Sequence, residues 1–475
     1  MVDNHSNRSK TSTAASVLDV CWTQIVLYAS GSEGSSGMRL AIVGGGISGL
    51  TAARLLHPEH EIHVFEAESR AGGHSNTVSF QWDGQDYSID TGFIVYNDRT
   101  YPNFMKLLDV LGIAGVPTEM SFAVRCDRTG TEYSGTSLDG LFAQRRNLLS
   151  PSFLRMVKEI LRFNRQGTSD ADAPATTETV GEYLQRNGYG SRFRDHYLLP
   201  MGAAIWSCPC GTFADFPMHF ILEFYRNHGL LSLTNRPQWY TIPGGSRRYV
   251  ERLIAPFQDH LHVGDPVRCV RRNGESVTVC TETAESSFDE VIFACHSDQA
   301  LSLLETPTAA ESEILGGFPY SQNEAVLHTD ERVLPRARRA WSAWNYRIGT
   351  GPEQRATITY NMNILQHIQS PHTFSVTLND TDLISADRVI SRHKYSHPIF
   401  TTKRAQLQSQ HQRLIRSGRT SFCGAYWGNG FHEDGVNSAL AVVSAWGIGG
   451  IESAAGSAFR PAEVVSASAQ PMAGA

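Results

Sequence analysis

The sequence predicts an α/β fold in which a Rossmann-type nucleotide-binding domain is interleaved with an α+β domain. Three observations carry this. Residues 38–66 read as strand, glycine turn, helix and strand in succession. Apolar strands of the same kind return only after long helical, aromatic-rich stretches, roughly 100–240 and 300–410. A length of 475 residues also exceeds what one hydrophobic core usually organises.

The elements follow in order. Met38 to Val43 is a short apolar run ending at glycines, which suits a parallel strand buried on both faces. Leu50 to Leu56 has helical spacing with Ala52 and Ala53 as small residues, and Pro58 stops it. Glu61 to Glu66 is a second strand. Leu261 to Val270 and Phe288 to Ala294 read as later strands of the same domain. The expected division is 38–100, 241–300 and 415–455 for the nucleotide domain, and 101–240 with 301–414 for the second. No internal repeat is evident.

Residues 1–37 are rich in Ser, Thr, Asn and Gly and read as a flexible extension, with Met38 as the expected biological start. The apolar stretch Val17 to Ala29 is too short to span a bilayer and carries Asp19 and Gln24. Residues 456–475 read as a frayed tail. A formal net charge of -6 leaves no basic excess for nucleic acid. Eight scattered cysteines without a secretory signal suit reduced thiols in a cytoplasmic protein. Cys208 and Cys210 form the only close pair, and no second pair follows at zinc spacing, so no metal site is expected.

The chemistry begins at the glycine turn. Gly44, Gly46 and Gly49 occupy the positions of G-x-G-x-x-G: a tight turn, a close approach of backbone to pyrophosphate, and close packing of helix on strand. Ile47 and Ser48 open the helix, whose free N–H groups favour an anion. Glu66, ending the second strand, is the expected acceptor for ribose hydroxyls. The segment continues as Arg70-Ala71-Gly72-Gly73-His74. With this Arg-x-Gly-Gly turn in register, the sequence resembles the flavin amine oxidase and carotenoid-desaturase superfamily. That resemblance implies FAD, an amine oxidase-like two-domain architecture, and cofactor contacts from Arg70, Gly72, Gly73 and His74.

Further matches extend the resemblance. Asp90-Thr91-Gly92-Phe93 looks like the segment passing the isoalloxazine ring, which places Gly92 at the cofactor. Pro243-Gly244-Gly245-Ser246 resembles the turn that returns the chain to the FAD domain. Val267 stands where the superfamily has a valine whose backbone meets the adenine. Phe422-Cys423-Gly424 with Gly435-Val436-Asn437-Ser438-Ala439 resembles the C-terminal flavin motif. The resemblance implies that a helix beginning after Gly435 aims its N–H groups, Val436 among them, at the N1–C2=O edge of the flavin.

Three departures stand out. The acidic residue expected soon after Phe-x-Gly is replaced by Ala425-Tyr426, leaving Asp434 or Glu433 as substitutes. The superfamily's lysine near flavin N5 has no counterpart, because no lysine occurs between Lys158 and Lys394. The aromatic-cage position holds His432 instead of tyrosine, so a cage for a free amine is incomplete.

The segments Pro200 to Ser207, Ala343 to Tyr346, Thr359 to Gln366 and Gly424 to Gly435 resemble a narrower bacterial group of NAD/FAD-binding proteins. That group is similar to the oxidase-like region of plant cyclopropane-fatty-acid synthases, and the superfamily also holds FAD-dependent fatty-acid double-bond isomerases. The resemblance implies a lipid acyl substrate, hydride transfer from a C–H bond to flavin N5, and a lipid methyltransferase as a candidate partner. Trp206, Trp344, Tyr346, Tyr360 and Met362 are candidates to line a substrate tunnel, with ordinary core packing as the alternative. His432 is the candidate proton-transfer residue, since imidazole titrates near neutrality. His397-Pro398 recurs in the resembling group without an assigned role. The amphipathic stretch 151–166, with Arg155, Lys158, Arg162 and Arg165 beside its apolar residues, is the one candidate for peripheral membrane contact, with a packed surface helix as the alternative.

Overall fold

The computed structural model of the chain describes residues 37–174, 176–206, 208–350, 357–379, 381–399 and 401–452. The N-terminal extension up to residue 36, its apolar stretch, the tail 456–475 and Ser207 lie outside the described residues.

The nucleotide-type sheet has five parallel strands in the order Leu261–Val263, Glu61–Glu66, Arg39–Val43, Glu290–Phe293, Thr420–Phe422. Its central strands are covered on both faces, which is why their sequence reads as a continuous apolar run. Leu40, Ile42, Ile62 and Val64 enter one core, while Ala41, Val43 and Phe65 enter another on the opposite face. The helix after the glycine turn spans Ile47–Leu56, three residues longer at its start than its apolar spacing indicates.

The reading of 261–270 as a single strand needs correction. Leu261–Val263 forms the sheet edge, whereas Cys269–Arg272 pairs with Val277–Cys280 and then Glu285–Phe288 in a separate antiparallel sheet. Phe288 belongs to that hairpin. The chain re-enters the parallel sheet after Asp289, whose N–H donates to the Arg39 carbonyl (2.8 Å) and whose carboxylate accepts from the Arg39 N–H (2.7 Å).

The expectation of a helical 300–410 stretch is overturned. Five strands from this region join Phe122–Cys126 and Thr131–Ser134 in a seven-stranded mixed sheet, ordered Val389–Pro398, Tyr320–His328, Ser375–Leu378, Thr357–Asn361, Trp344–Ile348, Phe122–Cys126, Thr131–Ser134. Ser375–Leu378 is buried at every position, so it shows no two-residue alternation from which periodicity identifies a strand. Helices Pro151–Asp170, Leu199–Trp206 and Met218–Asn227 contribute Phe153, Met156, Phe163, Trp206, Ile221 and Phe224 to the core shared with this sheet. Among the described residues no helix is long and apolar enough to cross a membrane.

Candidate active site

The three glycines of the turn do three different things. Gly44 has φ +114°, and a Cβ there would lie 2.8 Å from the Ala294 carbonyl carbon, so neither conformation nor space admits a side chain. A Cβ on Gly49 would collide with the Gly44 carbonyl and stand 3.0 Å from Ala294 Cβ, so this glycine lets the helix abut the turn. Gly46 is different: its φ is −79°, and a Cβ would meet no atom within 4 Å. Protein packing does not require glycine at 46. The helix it begins has no side-chain cap and no acidic residue in its first turn, which leaves its positive end open to an anion.

The Arg-x-Gly-Gly turn is fastened to this loop. Gly72 N–H donates to the Gly45 carbonyl (2.7 Å), and Gly72 and Gly73 have φ of +118° and +55°. Glu66 is buried, and its carboxylate accepts from Gly45 N–H and Glu68 N–H, both at 2.9 Å. It thus organises the loop before any ligand is considered, and each oxygen retains acceptor capacity. Arg70 donates through Nη2 to the Gly73 carbonyl (2.9 Å), while its Nη1 is buried without a hydrogen-bond partner. His74 Nε2 is likewise buried and unpartnered. Gly92 lies against the His74 carbonyl, too close for any Cβ.

Asp90 went unrecognised in the sequence reading. It is fully buried and its carboxylate accepts from Thr77 Oγ1 (2.6 Å), Ser246 Oγ (2.7 Å), Ser246 N–H (2.9 Å) and Gln366 Nε2 (3.0 Å). One carboxylate thereby ties Asp90-Thr91-Gly92 to the Pro243–Ser246 turn and to the strand-rich domain. Burial raises its pKa to about 6 despite these donors. An isolated acid before Thr-Gly carries no sequence signal for such a role. Val267 is buried beside Val43 and Phe65 in the sheet core.

The C-terminal motif departs from expectation at the helix start. The helix spans His432–Val443, so Val436 lies in its second turn, where the backbone N–H is spent within the helix. The free N–H groups belong to residues before Gly435. Gly435 instead brings this helix against the first, since a Cβ there would be 2.8 Å from Ile47 Cγ2 and 2.9 Å from Ser48 Oγ. Gly424 follows the last parallel strand and donates to Ser438 Oγ (2.8 Å). Asp434 and Glu433 are committed to helix ends: Asp434 accepts from Phe431 N–H (2.9 Å), and Glu433 accepts from Asn103 and Phe104 N–H (3.0 and 2.8 Å), capping helix Pro102–Val110. Burial raises both acids, Asp434 to about 6.

His432 also differs from its expected role. Its ring stacks on Phe93 at 3.5 Å between centroids, and Nε2 is engaged with Tyr249 Oη (2.8 Å) and Ser75 Oγ (3.0 Å). Burial lowers its pKa to about 3, so the imidazole is neutral near pH 7 and is held as packing, the opposite of a base poised to titrate there.

A group of neutral imidazoles stands elsewhere. His74 packs against Tyr395 (4.8 Å) and His397 (5.2 Å), and His296 stacks on Tyr320 (4.6 Å) after the fourth parallel strand in the sheet order. Burial lowers all three histidines, His397 to about 4. His397 has a defined tautomer. Glu324 N–H donates to Asn379 Oδ1 (3.3 Å), Asn379 Nδ2 to Asn323 Oδ1 (2.8 Å), and Asn323 Nδ2 to His397 Nδ1 (3.0 Å). The backbone donor fixes both amides in turn, so the neutral ring carries its proton on Nε2.

The five tunnel candidates share one core. Trp344 and Tyr360 are register partners packed edge to face at 5.1 Å, and Tyr346 lies one turn of the pleat along the same strand, in contact with Cys210 Sγ through its hydroxyl (3.2 Å). Met362 is fully buried at the start of a short helix. Trp206 sits among Phe213, Phe216, Phe220 and Phe224. Trp206 Nε1 and Trp344 Nε1 are buried without partners. Among the described residues no group of three or more His, Cys, Asp or Glu is placed to hold a metal ion.

The loop fits a dinucleotide: an open backbone at Gly46, an uncapped helix start, a buried guanidinium nitrogen lacking an acceptor, and a carboxylate at the end of the second strand. Comparison with known proteins agrees. Residues 47–339, more than half of the chain, match the family of flavin-containing amine oxidoreductases. Flavin-containing amine oxidase A of Bos taurus is 26% identical over 255 residues, covering 52% of this chain and 47% of that protein. The chain thus spans about half the length of that relative. A protein of Mycobacterium tuberculosis named as a flavin-containing monoamine oxidase is 27% identical over 351 residues, 70% of this chain and 72% of that protein. The crystal structure of a CLA-producing fatty acid isomerase from P. acnes shares the fold with a TM-score of 0.61 at 14% identity, covering 87% of this chain and 100% of that one. The chain belongs to the family of flavin-containing amine oxidoreductases, and FAD is its cofactor.

Proposed function

We propose that the protein is an FAD-dependent oxidoreductase whose substrate is a lipid acyl chain or a comparably apolar molecule. The observation that carries this reading is an aromatic column leading from the C-terminal flavin motif into the core beneath the seven-stranded sheet. Phe431, immediately before His432, stacks on Phe224 (5.3 Å), which packs on Trp206 (4.7 Å). Trp344, Tyr346, Tyr360 and Met362 belong to the same cluster. When bound, FAD supplies a two-electron acceptor for a substrate C–H bond. The chain's own side chains supply apolar walls that orient a hydrocarbon and exclude water. The unpartnered indole N–H groups of Trp206 and Trp344 are suited to the few polar atoms of such a molecule.

The relatives named as amine oxidases give the competing substrate class. An ammonium group is recognised by carboxylates or stacked aromatic faces. Here the imidazoles of His74, His296 and His397 are neutral, and Asp434 and Glu433 are occupied as caps. These features support the apolar reading.

The test is anaerobic titration of the FAD-loaded protein with oleoyl lipid, and separately with benzylamine and putrescine, following the oxidised-flavin absorbance. Bleaching by the acyl lipid is the expected result. Bleaching by amines alone overturns the substrate class. Isomerised lipid formed without any electron acceptor identifies redox-neutral double-bond isomerisation instead. No spectral change and no product identifies a flavoprotein that accompanies another enzyme, such as a lipid methyltransferase.

A further inference from the structure

The helix Pro151–Asp170 carries apolar side chains on two opposite faces, one buried and one exposed. Its inner stripe, Phe153, Met156, Phe163 and Gly167, is buried against the core shared with the seven-stranded sheet. Its outer stripe is Leu154, Lys158, Leu161 and Arg165, spaced four, three and four residues apart and therefore on one face. Leu154 and Leu161 are 43% and 45% exposed. Just before the helix, Leu148 and Leu149 are 48% and 88% exposed, and Leu138 on the preceding helical turn is 76% exposed. Five of the nine strongly exposed aliphatic side chains among the described residues thus fall within residues 138–161.

The charge around these leucines is equally uneven. Residues 138–170 hold six cations (Arg145, Arg146, Arg155, Lys158, Arg162, Arg165) and three acids (Asp139, Glu159, Asp170), a balance of +3 in a chain of -6. Two acids are already paired: Asp139 with Arg145, and Glu159 with Arg155 at 3.1 Å. Lys158 and Arg165 have no acidic partner among the described residues. Leucines alternating with long cationic side chains on one exposed helix face match the layering of a bilayer surface, where acyl chain and phosphate lie at adjacent depths.

We infer that the face formed by Leu148, Leu149 and the outer stripe of this helix docks the protein on an anionic lipid bilayer. The surface helix roofs the same core that holds the aromatic column, which places the membrane beside the domain proposed to receive an acyl chain. The docking itself does not depend on what the flavin oxidises.

The experiment is co-sedimentation of the full-length FAD-loaded protein with vesicles of phosphatidylcholine alone and of phosphatidylcholine with 30% phosphatidylglycerol (roughly the anionic content of a charged membrane). All lipids are saturated, so binding is read without turnover. Binding to the anionic vesicles, weakened by raising the salt, is expected. Lys158→Glu with Arg165→Glu is expected to weaken it at least about tenfold, as is Leu148→Ser with Leu149→Ser. Thermal melting and flavin content of each variant are expected to match the parent. Equal binding by parent and both variants overturns the inference, as does absence of binding by the parent. A parent that sediments as a dimer, dissociated by the leucine variant and indifferent to vesicles, also overturns it by assigning the face to a second copy of the chain. Acyl-lipid bleaching of the flavin is read separately, so a wrong substrate class leaves the vesicle result standing.

Discussion

Gly46→Val separates the cofactor's requirement for glycine from that of the fold. Gly46 has a backbone conformation open to any residue, and its Cβ direction is empty to 4 Å. Valine there costs the protein only its weaker helix-capping preference, on the order of 1 kcal/mol. A ligand brought against that backbone meets the whole side chain. Displacing a pyrophosphate far enough to lose about two charge-assisted hydrogen bonds forfeits roughly 3–6 kcal/mol, or about 10²–10⁴-fold in affinity. Gly49→Val is the contrast, because its Cβ runs into the Gly44 carbonyl and Ala294. That overpacking costs roughly 1–3 kcal/mol or more and acts on the fold itself. The assay is the flavin-to-protein absorbance ratio after purification, with melting of the flavin-free forms by circular dichroism. The expected outcome is a colourless Gly46→Val protein that melts within about 2 °C of the apo parent, and a Gly49→Val protein that melts well below both. A Gly46→Val protein carrying full flavin, or one as unstable as Gly49→Val, refutes the reasoning.

Three further predictions follow from the buried polar groups. His432 has a folded pKa of about 3 against roughly 6.5 when unfolded, so the unfolded chain binds more protons between those values. Its contribution is complete above about pH 6.5 and is lost as the pH falls towards 3, by up to about 5 kcal/mol; urea midpoints against pH should therefore be flatter for His432→Gln than for the parent. Glu433→Ala uncaps two backbone N–H groups of helix Pro102–Val110 and should lower stability by about 1–3 kcal/mol, read from urea unfolding. ¹⁵N NMR of the His397 ring should show the Nε2–H form, switched to Nδ1–H by Asn323→Asp because a carboxylate accepts where the amide donated. An unchanged tautomer in that variant would remove the amide chain as its cause.

The parallel sheet and its glycine turn were legible because their constraints are local. Arg39–Val43, the turn and Glu61–Glu66 form one strand–turn–helix–strand unit; Gly44 and Gly49 answer contacts within that unit or its neighbouring strand, while Gly46 meets none and leaves its backbone open. The strands of 320–398 were not legible as such. They are buried by partners far away in the chain, and a run such as Ser375–Leu378 has no exposed face to mark its period. Likewise Asp90 and Glu433 act on segments 156 and about 330 residues distant. No spacing rule reaches that far.

His432 shows the same division. Its position against the C-terminal flavin motif is set by sequence, and from that position alone an imidazole reads as a proton carrier. Phe93, Tyr249 and Ser75, brought to it from three other segments, make it a neutral packed ring. Sequence by itself pointed to a dinucleotide, since anion recognition by a glycine turn is written in contiguous residues, and the resemblance carried by Glu66 and the Arg70–Gly73 turn narrowed it to FAD. Tertiary structure decided which groups are charged, capped or left open to a ligand, because protonation and hydrogen-bond satisfaction depend on what burial brings together.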